Sequence, residues 1–366
     1  MEKRAVSTYC CMLLLFTVVI FRIYQIGASP YAAMASQAQG LYTLPVASAR
    51  GVIYDRNMNR LVNREYGHVA SVLPTPQAMD AVTRALGGDM QEDIFARFQS
   101  GMPFAVALPD MNTALHARGV DVFRVPRRYG ESTLIPHIIG YLGSNGTDGA
   151  AGIERAYNEA LIRHGTRIEM VYQMDARGHV MHGGDISVRR TGEEMPMGGV
   201  VLTVDRNIQI ITQNALANGS ERGAAVVMDV HTGDIIGIAS LPDFNPNAIA
   251  DYLEREDAPF INRAASGYNI GSVFKTLISA AALEAGYTTA HRYTCEGAVE
   301  VGGIRFRCNL NIVHGDIDMA RAMEVSCNTY FIELGRKLDP RFMLTLMGNL
   351  GLGASQILAP GIETQP

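Results

Sequence analysis

The spacing of hydrophobic positions changes along the chain, and each change marks a predicted element. From Tyr9 to Gly27 apolar residues dominate for 19 residues, close to the ~20 that a helix needs to cross a bilayer. Residues 49–62 alternate short apolar runs with a polar turn, which predicts strand, turn and strand. Residues 75–118 carry spaced apolar positions and few helix breakers, which predicts a helical insert.

The second half of the chain has a different order of elements. Residues 175–198 are rich in glycine and charge and have no apolar period, so we place a domain boundary near their end. A strand over 200–205, a helix over 208–218 and a hairpin of strands over 223–230 and 234–240 follow. An apolar helical stretch after residue 272 then completes a pattern that is typical of an α/β layered domain.

The N-terminus predicts export of the rest of the chain. Lys3 and Arg4 precede the apolar stretch and should stay cytoplasmic. Arg22 interrupts the stretch, but apolar residues resume after it, which favours an uncleaved membrane anchor. A cleaved signal peptide is the alternative, because small residues follow at 28–33. Residues 29–40 are expected to form a helix or stalk that leaves the membrane.

Composition limits the classes of partner. With 366 residues the chain is long enough for two domains, and a net charge of -5 with a pI of about 6.0 does not favour a nucleic-acid partner. The nine histidines show no metal-ligand pairing, so no metal site and no cofactor are expected. Cys295 and Cys308 could form a disulfide or remain free, whereas Cys10, Cys11 and Cys327 are interpreted as packing residues. His314 is interpreted as a turn residue.

Ser272 and Lys275 are the strongest candidates for chemistry. They lie three positions apart at the start of the apolar helical stretch, so their side chains should share one helix face. Burial among apolar neighbours lowers the pKa of a lysine and favours a neutral amine, which can take a proton from a serine nucleophile. Gly271 leaves the approach to the serine open.

A second pair makes a family resemblance specific. Ser326 and Asn328 form a Ser-x-Asn element 54 positions after Ser272, and the combination resembles the penicillin-recognising serine acyltransferases. Residues 49–62, 135–143 and 149–161 resemble the non-catalytic pedestal domain of class B penicillin-binding proteins. The resemblance implies an α+β fold with an anchor (1–27), a mixed α/β pedestal of the dimerisation type (28–197) and a partial transpeptidase domain with helices on an antiparallel sheet (198–366).

The resemblance also implies a mechanism and partners. Ser272 would attack a D-Ala-D-Ala stem peptide of peptidoglycan, Lys275 would accept the proton, and Ser326 would relay a proton to the leaving group. Asn328 would hold the substrate amide and orient Lys275, while a backbone oxyanion hole includes the amide of Ser272. β-Lactam antibiotics would trap the serine. The implied partners are stem peptides, β-lactams, the membrane and a membrane glycan polymerase.

One family element is missing from the sequence. A Lys-[Ser/Thr]-Gly motif should follow Ser-x-Asn, but the 38 residues after Asn328 do not contain it. Residues 190–192 and 231–233 are similar in type but precede Ser272. We therefore expect a chain truncated before this motif. The alternatives are a membrane-anchored scaffold of the cell-wall machinery and a β-lactam sensor or β-lactamase-like protein.

Overall fold

The computed structural model describes residues 2–27, 40–87, 92–109, 117–175, 177, 179–181, 185–192 and 198–365. The predicted stalk lies outside these residues except for Gly40, and so does much of the predicted linker over 175–198.

The helices of the described chain are mostly short. They are α1 (Glu2–Gly27), α2 (Pro76–Ala85), α3 (Glu92–Gln99), α4 (Pro136–Ile139), α5 (Gly152–Ala156), α6 (Asn158–Arg163), α7 (Arg206–Gly219), α8 (Phe274–Glu284), α9 (Met319–Glu324), α10 (Asn328–Lys337) and α11 (Pro340–Asn349). Single 3₁₀ turns cover Ile249–Tyr252, Gly271–Val273 and Asn309–Asn311.

The strands form several small sheets. They are β1 (Leu41–Ala49), β2 (Val52–Tyr54), β3 (Glu65–Val72), β4 (Phe104–Leu108), β5 (Val120–Arg127), β6 (Thr166–Gln173), β7 (Ser187–Thr191), β8 (Gly199–Val201), β9 (Gly223–Met228), β10 (Ile235–Leu241), β11 (Tyr293–Cys295), β12 (Ala298–Val301), β13 (Ile304–Arg307), β14 (Gly315–Ile317), β15 (Ile357–Ala359) and β16 (Ile362–Glu363).

The chain divides into two compact units. The first comprises Met1–Thr212, Val227–Gly237 and Phe244–Leu253, and the second comprises Gln213–Val226, Ile238–Asp243 and Glu254–Pro366. In the first unit β6 lies between β1 and β7, and β3 lies between β4 and β5; these pairings are all antiparallel, while β2 pairs with β8 in parallel.

Two apolar clusters support the first unit. One joins β3, β4 and β5 to α2 and α3, and the other joins β1 to β6. The helix α2 begins where its sequence favours a start: the Thr75 hydroxyl accepts from the backbone N–H of Ala78, and Pro76 occupies the first helical turn.

The second unit is organised around α8 and α10. Ala281 and Ala282 of α8 are fully buried, and small side chains at these positions allow the close approach of Tyr330, Phe331 and Leu334 of α10. Two small antiparallel pairs, β11 with β14 and β12 with β13, lie in the segment between these helices.

Most predicted elements of the second half are present, and several in the first half differ. The hairpin of β9 and β10 and the helix α7 agree with the sequence prediction. The second strand predicted before residue 62 is reduced to an isolated bridge between Tyr54 and Arg60. Residues 75–118 form two helices and also the strand β4, so the predicted insert is not purely helical in its described part.

The N-terminal helix agrees with the predicted anchor in length and composition. Within α1, Val6–Gln25 has a mean hydropathy of 2.1 over 20 residues, which is long and apolar enough to cross a membrane. Its described side chains are exposed and do not pack into an apolar core.

Candidate functional site

Ser272 lies at the surface where a helix begins. Gly271, Ser272 and Val273 form the 3₁₀ turn that leads into α8, and the Ser272 side chain is exposed. Gly271 has φ +60°, a left-handed conformation that glycine adopts without strain. Glycine at position 271 therefore serves two purposes. It adopts the left-handed backbone without strain, and it leaves the approach to Ser272 open.

Lys275 is one turn further along and its amino group is tied to the Ser-x-Asn element. The residue is 8 % exposed. Its Nζ donates to the Ser326 carbonyl at 2.7 Å, to Ser326 Oγ at 2.9 Å and to Asn328 Oδ1 at 2.5 Å. Ser326 Oγ in turn donates to Ser272 Oγ at 3.1 Å. Ser326 therefore links the lysine to the candidate nucleophile.

The surroundings of Lys275 lower the pKa of its amine, which shifts its protonation equilibrium toward the neutral form. Burial lowers the pKa of the amine, and the weaker electrostatic influence of Cys327 and Cys308 acts in the opposite direction. Its three hydrogen-bond acceptors are uncharged. In the part of the chain that the structure describes, no carboxylate pairs with this ammonium, so an ion pair does not hold the proton in place.

Ser326 has an unusual backbone conformation. Its φ is +52°, in the left-handed region that non-glycine residues rarely adopt. It lies in the connection between α9, which ends at Glu324, and α10, which begins at Asn328. The helical path is interrupted there, and both the hydroxyl and the carbonyl of Ser326 accept from Lys275 Nζ.

Asn328 is held from both ends of its carboxamide. Its Nδ2 donates to the Arg307 carbonyl at 2.8 Å, at the end of β13, and its Oδ1 accepts from Lys275. Because the amide nitrogen is committed to a backbone carbonyl, the oxygen is directed at the lysine. The four predicted polar residues, Ser272, Lys275, Ser326 and Asn328, therefore form one hydrogen-bonded group.

A second cluster lies directly beside Ser-x-Asn and was not predicted. Cys295, Cys308, Cys327 and His314 place one potential ligand atom each within 4.8 Å of the others. Cys308 Sγ is 3.7 Å from both Cys295 Sγ and Cys327 Sγ, and Cys295 Sγ is 3.4 Å from His314 Nδ1. The three cysteines are buried, and their thiols are free.

The geometry of this cluster suits a tetrahedral metal ion. Three cysteines and one histidine are a donor set of structural zinc sites, and a Zn–S distance of about 2.3 Å gives tetrahedral S···S edges of about 3.8 Å. The two short S···S distances are close to that value. Burial raises the pKa of Cys295, but hydrogen bonds from Thr329, His314 and Gly297 outweigh it, and the net shift is downward, toward the thiolate that a metal needs.

The sequence predicted no metal site, whereas the structure brings these four residues together as candidate ligands. Cys327 is buried as predicted, but its neighbours are two further thiols and not only apolar side chains. The ligands come from three separate segments, so a search for paired histidines could not find them. The only sequence signal for this cluster was the spacing of its three cysteines and one histidine, which are separated by 12, 5 and 12 residues.

Comparisons with known proteins support the fold and the class of domain that contains the site. Residues 223–364 match the family described as the penicillin binding protein transpeptidase domain. Among curated proteins, peptidoglycan D,D-transpeptidase MrdA of Escherichia coli K12 is 26% identical, over 96% of this chain and 63% of its own length. The chain thus spans less than two thirds of that relative.

Solved structures share the fold. Penicillin-binding protein PBP2 from Helicobacter pylori superposes with a TM-score of 0.60 at 20% identity, covering 86% of this chain and 66% of its own. A chain from a structure described as "Structural coordination of polymerization and crosslinking by a peptidoglycan synthase complex" gives a TM-score of 0.58 at 22% identity, covering 97% and 69%.

These matches define a protein with a penicillin-binding transpeptidase domain behind an apolar N-terminal helix. The relatives and the fold extend beyond that domain over nearly the whole chain. Residues 223–364 carry the penicillin-binding transpeptidase domain, and over nearly its whole length the chain resembles class B penicillin-binding proteins.

Proposed function

We propose that this chain carries the acylation site of a peptidoglycan D,D-transpeptidase. Ser272 would take the acyl group of a D-Ala-D-Ala stem peptide and pass it to an amine on a neighbouring stem. The observation that carries the proposal is the hydrogen-bonded series from Lys275 Nζ through Ser326 Oγ to Ser272 Oγ. An exposed hydroxyl connected to a buried amine is the arrangement that nucleophilic catalysis by serine requires.

The proton path in this proposal runs through Ser326. Hydroxyl hydrogens rotate, so with neutral Lys275 the same oxygen and nitrogen positions let Ser272 donate to Ser326 and Ser326 donate to Lys275. As Ser272 Oγ bonds to the carbonyl carbon, its proton moves to Ser326 Oγ while the proton of Ser326 moves to Lys275 Nζ. Collapse of the tetrahedral intermediate returns a proton along this path to the leaving D-alanine.

Two further features of the site support acyl transfer. The amide of Ser272 is at the start of a helix, where N–H groups lack intrahelical acceptors, and it would donate to the developing oxyanion. Asn328 keeps its oxygen on Lys275. We propose that it orients the amine before reaction and contacts the substrate amide during it.

The remaining parts of the chain have roles in the same proposal. Residues 1–27 would anchor the protein with its N-terminus in the cytoplasm, residues 28–197 would form the pedestal and residues 198–366 the transpeptidase domain. The apolar length of α1 supports the anchor. One structural neighbour belongs to a peptidoglycan synthase complex that coordinates polymerization and crosslinking, which supports a membrane glycan polymerase as a partner.

The test is the intact mass of the full chain in detergent after incubation with benzylpenicillin. An adduct of one drug on the wild type, absent from Ser272→Ala, is expected. Ser266→Ala, which removes another hydroxyl of the same unit, is the matched control and should still form the adduct. A folded wild type without adduct would overturn the enzyme proposal and favour the scaffold, and rapid release of the drug would favour a β-lactamase.

A further inference from the structure

The first unit contains a cavity with an unusual concentration of positive charge. Its volume is about 540 Å³, within the range of small-molecule sites. Four arginines and one carboxylate line it: Arg50, Arg128, Arg163, Arg167 and Asp148. All lining residues belong to the first unit, and none belongs to the Ser272 site.

Arg50 and Arg128, the inner pair of arginines, share one carboxylate, that of Glu154. Glu154 is fully buried; its Oε2 accepts from Arg50 Nε at 2.9 Å and its Oε1 accepts from Arg128 Nε at 2.5 Å. Two guanidinium groups against one carboxylate leave a net positive charge in a poorly hydrated place. Such a charge is costly unless another anion or polar group faces it.

One nitrogen of the inner pair has no acceptor. Each nitrogen of the Arg50 guanidinium has at least one acceptor, since Nη1 donates to the carbonyl of Thr147 and Nη2 donates to that of Glu154. Arg128 Nη1 donates to the Gly51 carbonyl and to Asn63 Oδ1, but the buried Nη2 has no hydrogen-bond partner among the described residues. Buried donors without partners are rare in folded proteins. The side chain of Arg128 is only 10% exposed.

Arg163 and Arg167, the outer pair of arginines, also line the cavity and are exposed, so they are available to bind a ligand. Arg163 is exposed and has no ion-pair partner in the part of the chain that the structure describes. Arg167 is 61% exposed, and its only described carboxylate contact is Glu169 at 3.9 Å. The opposing carboxylate, Asp148, is occupied by the amides of Asn145 and Asn158.

We propose that this cavity binds an organic oxyanion, a carboxylate or phosphate ester with an apolar portion. Guanidinium groups bind both oxyanions through paired hydrogen bonds, and four of them converge here. Ala49, Pro126, Leu142 and Ile162 supply apolar lining for the rest of the ligand. The site is independent of the proposed acylation chemistry.

The test measures binding of three small probes to the full chain by ligand-observed NMR. Benzoate represents a carboxylate, phenyl phosphate represents a phosphate ester and benzamide is the uncharged control. The variant Arg163→Gln/Arg167→Gln removes two exposed cations without touching the buried Glu154 network. Arg155→Gln removes an exposed arginine of the same unit that does not line the cavity.

The proposal expects wild type and Arg155→Gln to bind at least one anion and the double variant to bind it at least about tenfold more weakly, which corresponds to the loss of about one charge-assisted hydrogen bond. The preferred anion identifies the source of the oxyanion. Unchanged binding by the double variant, equal binding of benzamide, or no binding of either anion at about 10 mM would overturn the proposal. Thermal unfolding of each variant shows that a lost signal is not lost folding.

Discussion

Ser326 combines a proposed role in proton transfer with a strained backbone, and the two can be separated by mutation. Its left-handed φ of +52° disfavours any residue with a Cβ. Ser326→Gly should therefore unfold with a free energy about 0.5–1 kcal/mol higher than Ser326→Ala, after the larger unfolded-chain entropy of glycine is deducted. Denaturant titration of the two variants measures the difference. Equal stabilities would contradict the assignment of strain.

Both Ser326 variants should lose acylation to the same extent. Neither can pass a proton between Ser272 and Lys275, so the rate of penicillin adduct formation should fall about 10²-fold or more in each. The comparison separates chemistry from folding, because the glycine variant is the more stable of the two. A glycine variant that acylates at the wild-type rate would show that the proton does not pass through Ser326.

The lowered pKa of Lys275 predicts how the acylation rate changes with pH. Burial lowers the pKa of its amine, so the neutral base becomes populated at a lower pH than for an exposed lysine. The acylation rate should rise with pH through that lowered pKa, and Lys275→Arg should be inactive throughout because guanidinium stays protonated. Lys337→Arg, an exposed lysine of the second unit, is the control and should behave as wild type.

The lowered pKa of Lys275 also makes the stability of the folded chain rise with pH. The unfolded chain binds more protons than the folded chain at pH values between the folded and unfolded pKa of Lys275, so stability should rise with pH in that window. The thiols of Cys327 and Cys308 act on the same amine and oppose the shift.

A rate of adduct formation that is flat from about pH 6 to 10 would contradict the assignment of Lys275 as the base for acylation.

At the residue scale the sequence predicted which side chains meet but not how they meet. The intervals of three and two residues identified Ser272 with Lys275 and Ser326 with Asn328. Helical periodicity suggested direct contact of Ser272 with Lys275, whereas the amine contacts Ser326 and Asn328. The missing information was the left-handed turn at Ser326, because nothing in the local sequence demands it.

At the scale of elements, the cysteine and histidine cluster connects the segments on both sides of Asn328. Cys327 immediately precedes Asn328, and Cys308 follows Arg307, whose carbonyl accepts from the Asn328 amide. An ion held by both cysteines would fix the end of β13 and the start of α10 together. It would supply structural cross-linking there, and Asn328 would keep its orientation toward Lys275.

This arrangement predicts an effect of metal removal. The purified full chain should contain about one zinc ion, and chelation should lower its unfolding temperature by several degrees as well as slow penicillin adduct formation. Cys308→Ser should lose the metal, whereas Cys10→Ser, in α1, should retain it. Elemental analysis and thermal unfolding provide readouts besides activity. A metal-free chain with a Cys295–Cys308 disulfide would contradict the prediction.

The elements themselves were predictable to different degrees in the two units. The hairpin of β9 and β10 has apolar runs on both sides of a turn that contains Gly233, and this local signal was sufficient. The strands β1, β3, β5 and β6 were not predicted, because their partners are far away in sequence. Tyr42 pairs with Tyr172, and Ala70 pairs with Val122. Such pairings depend on tertiary contacts more than on local propensity.

At the scale of the whole molecule, each unit has an apolar core of its own. Leu161 is fully buried in the first unit, and Leu334 is 1% exposed in the second, in the cluster that joins α8 and α10. Two separate cores predict two thermal transitions in the full chain, since cooperativity follows the packed unit. Leu161→Ala should lower one transition and Leu334→Ala the other, each by about 2–5 kcal/mol of stability.

Acylation of Ser272 provides a second, independent way to assign each thermal transition to one of the two units. A penicillin bonded to Ser272 would make non-covalent contacts only while the second unit is folded, so it should shift the transition that Leu334→Ala shifts and leave the other unchanged. Calorimetry with and without the drug, and with Ser272→Ala as the unmodified control, measures this. A drug-induced shift of both transitions by the same amount would mean that the two units unfold as one cooperative body.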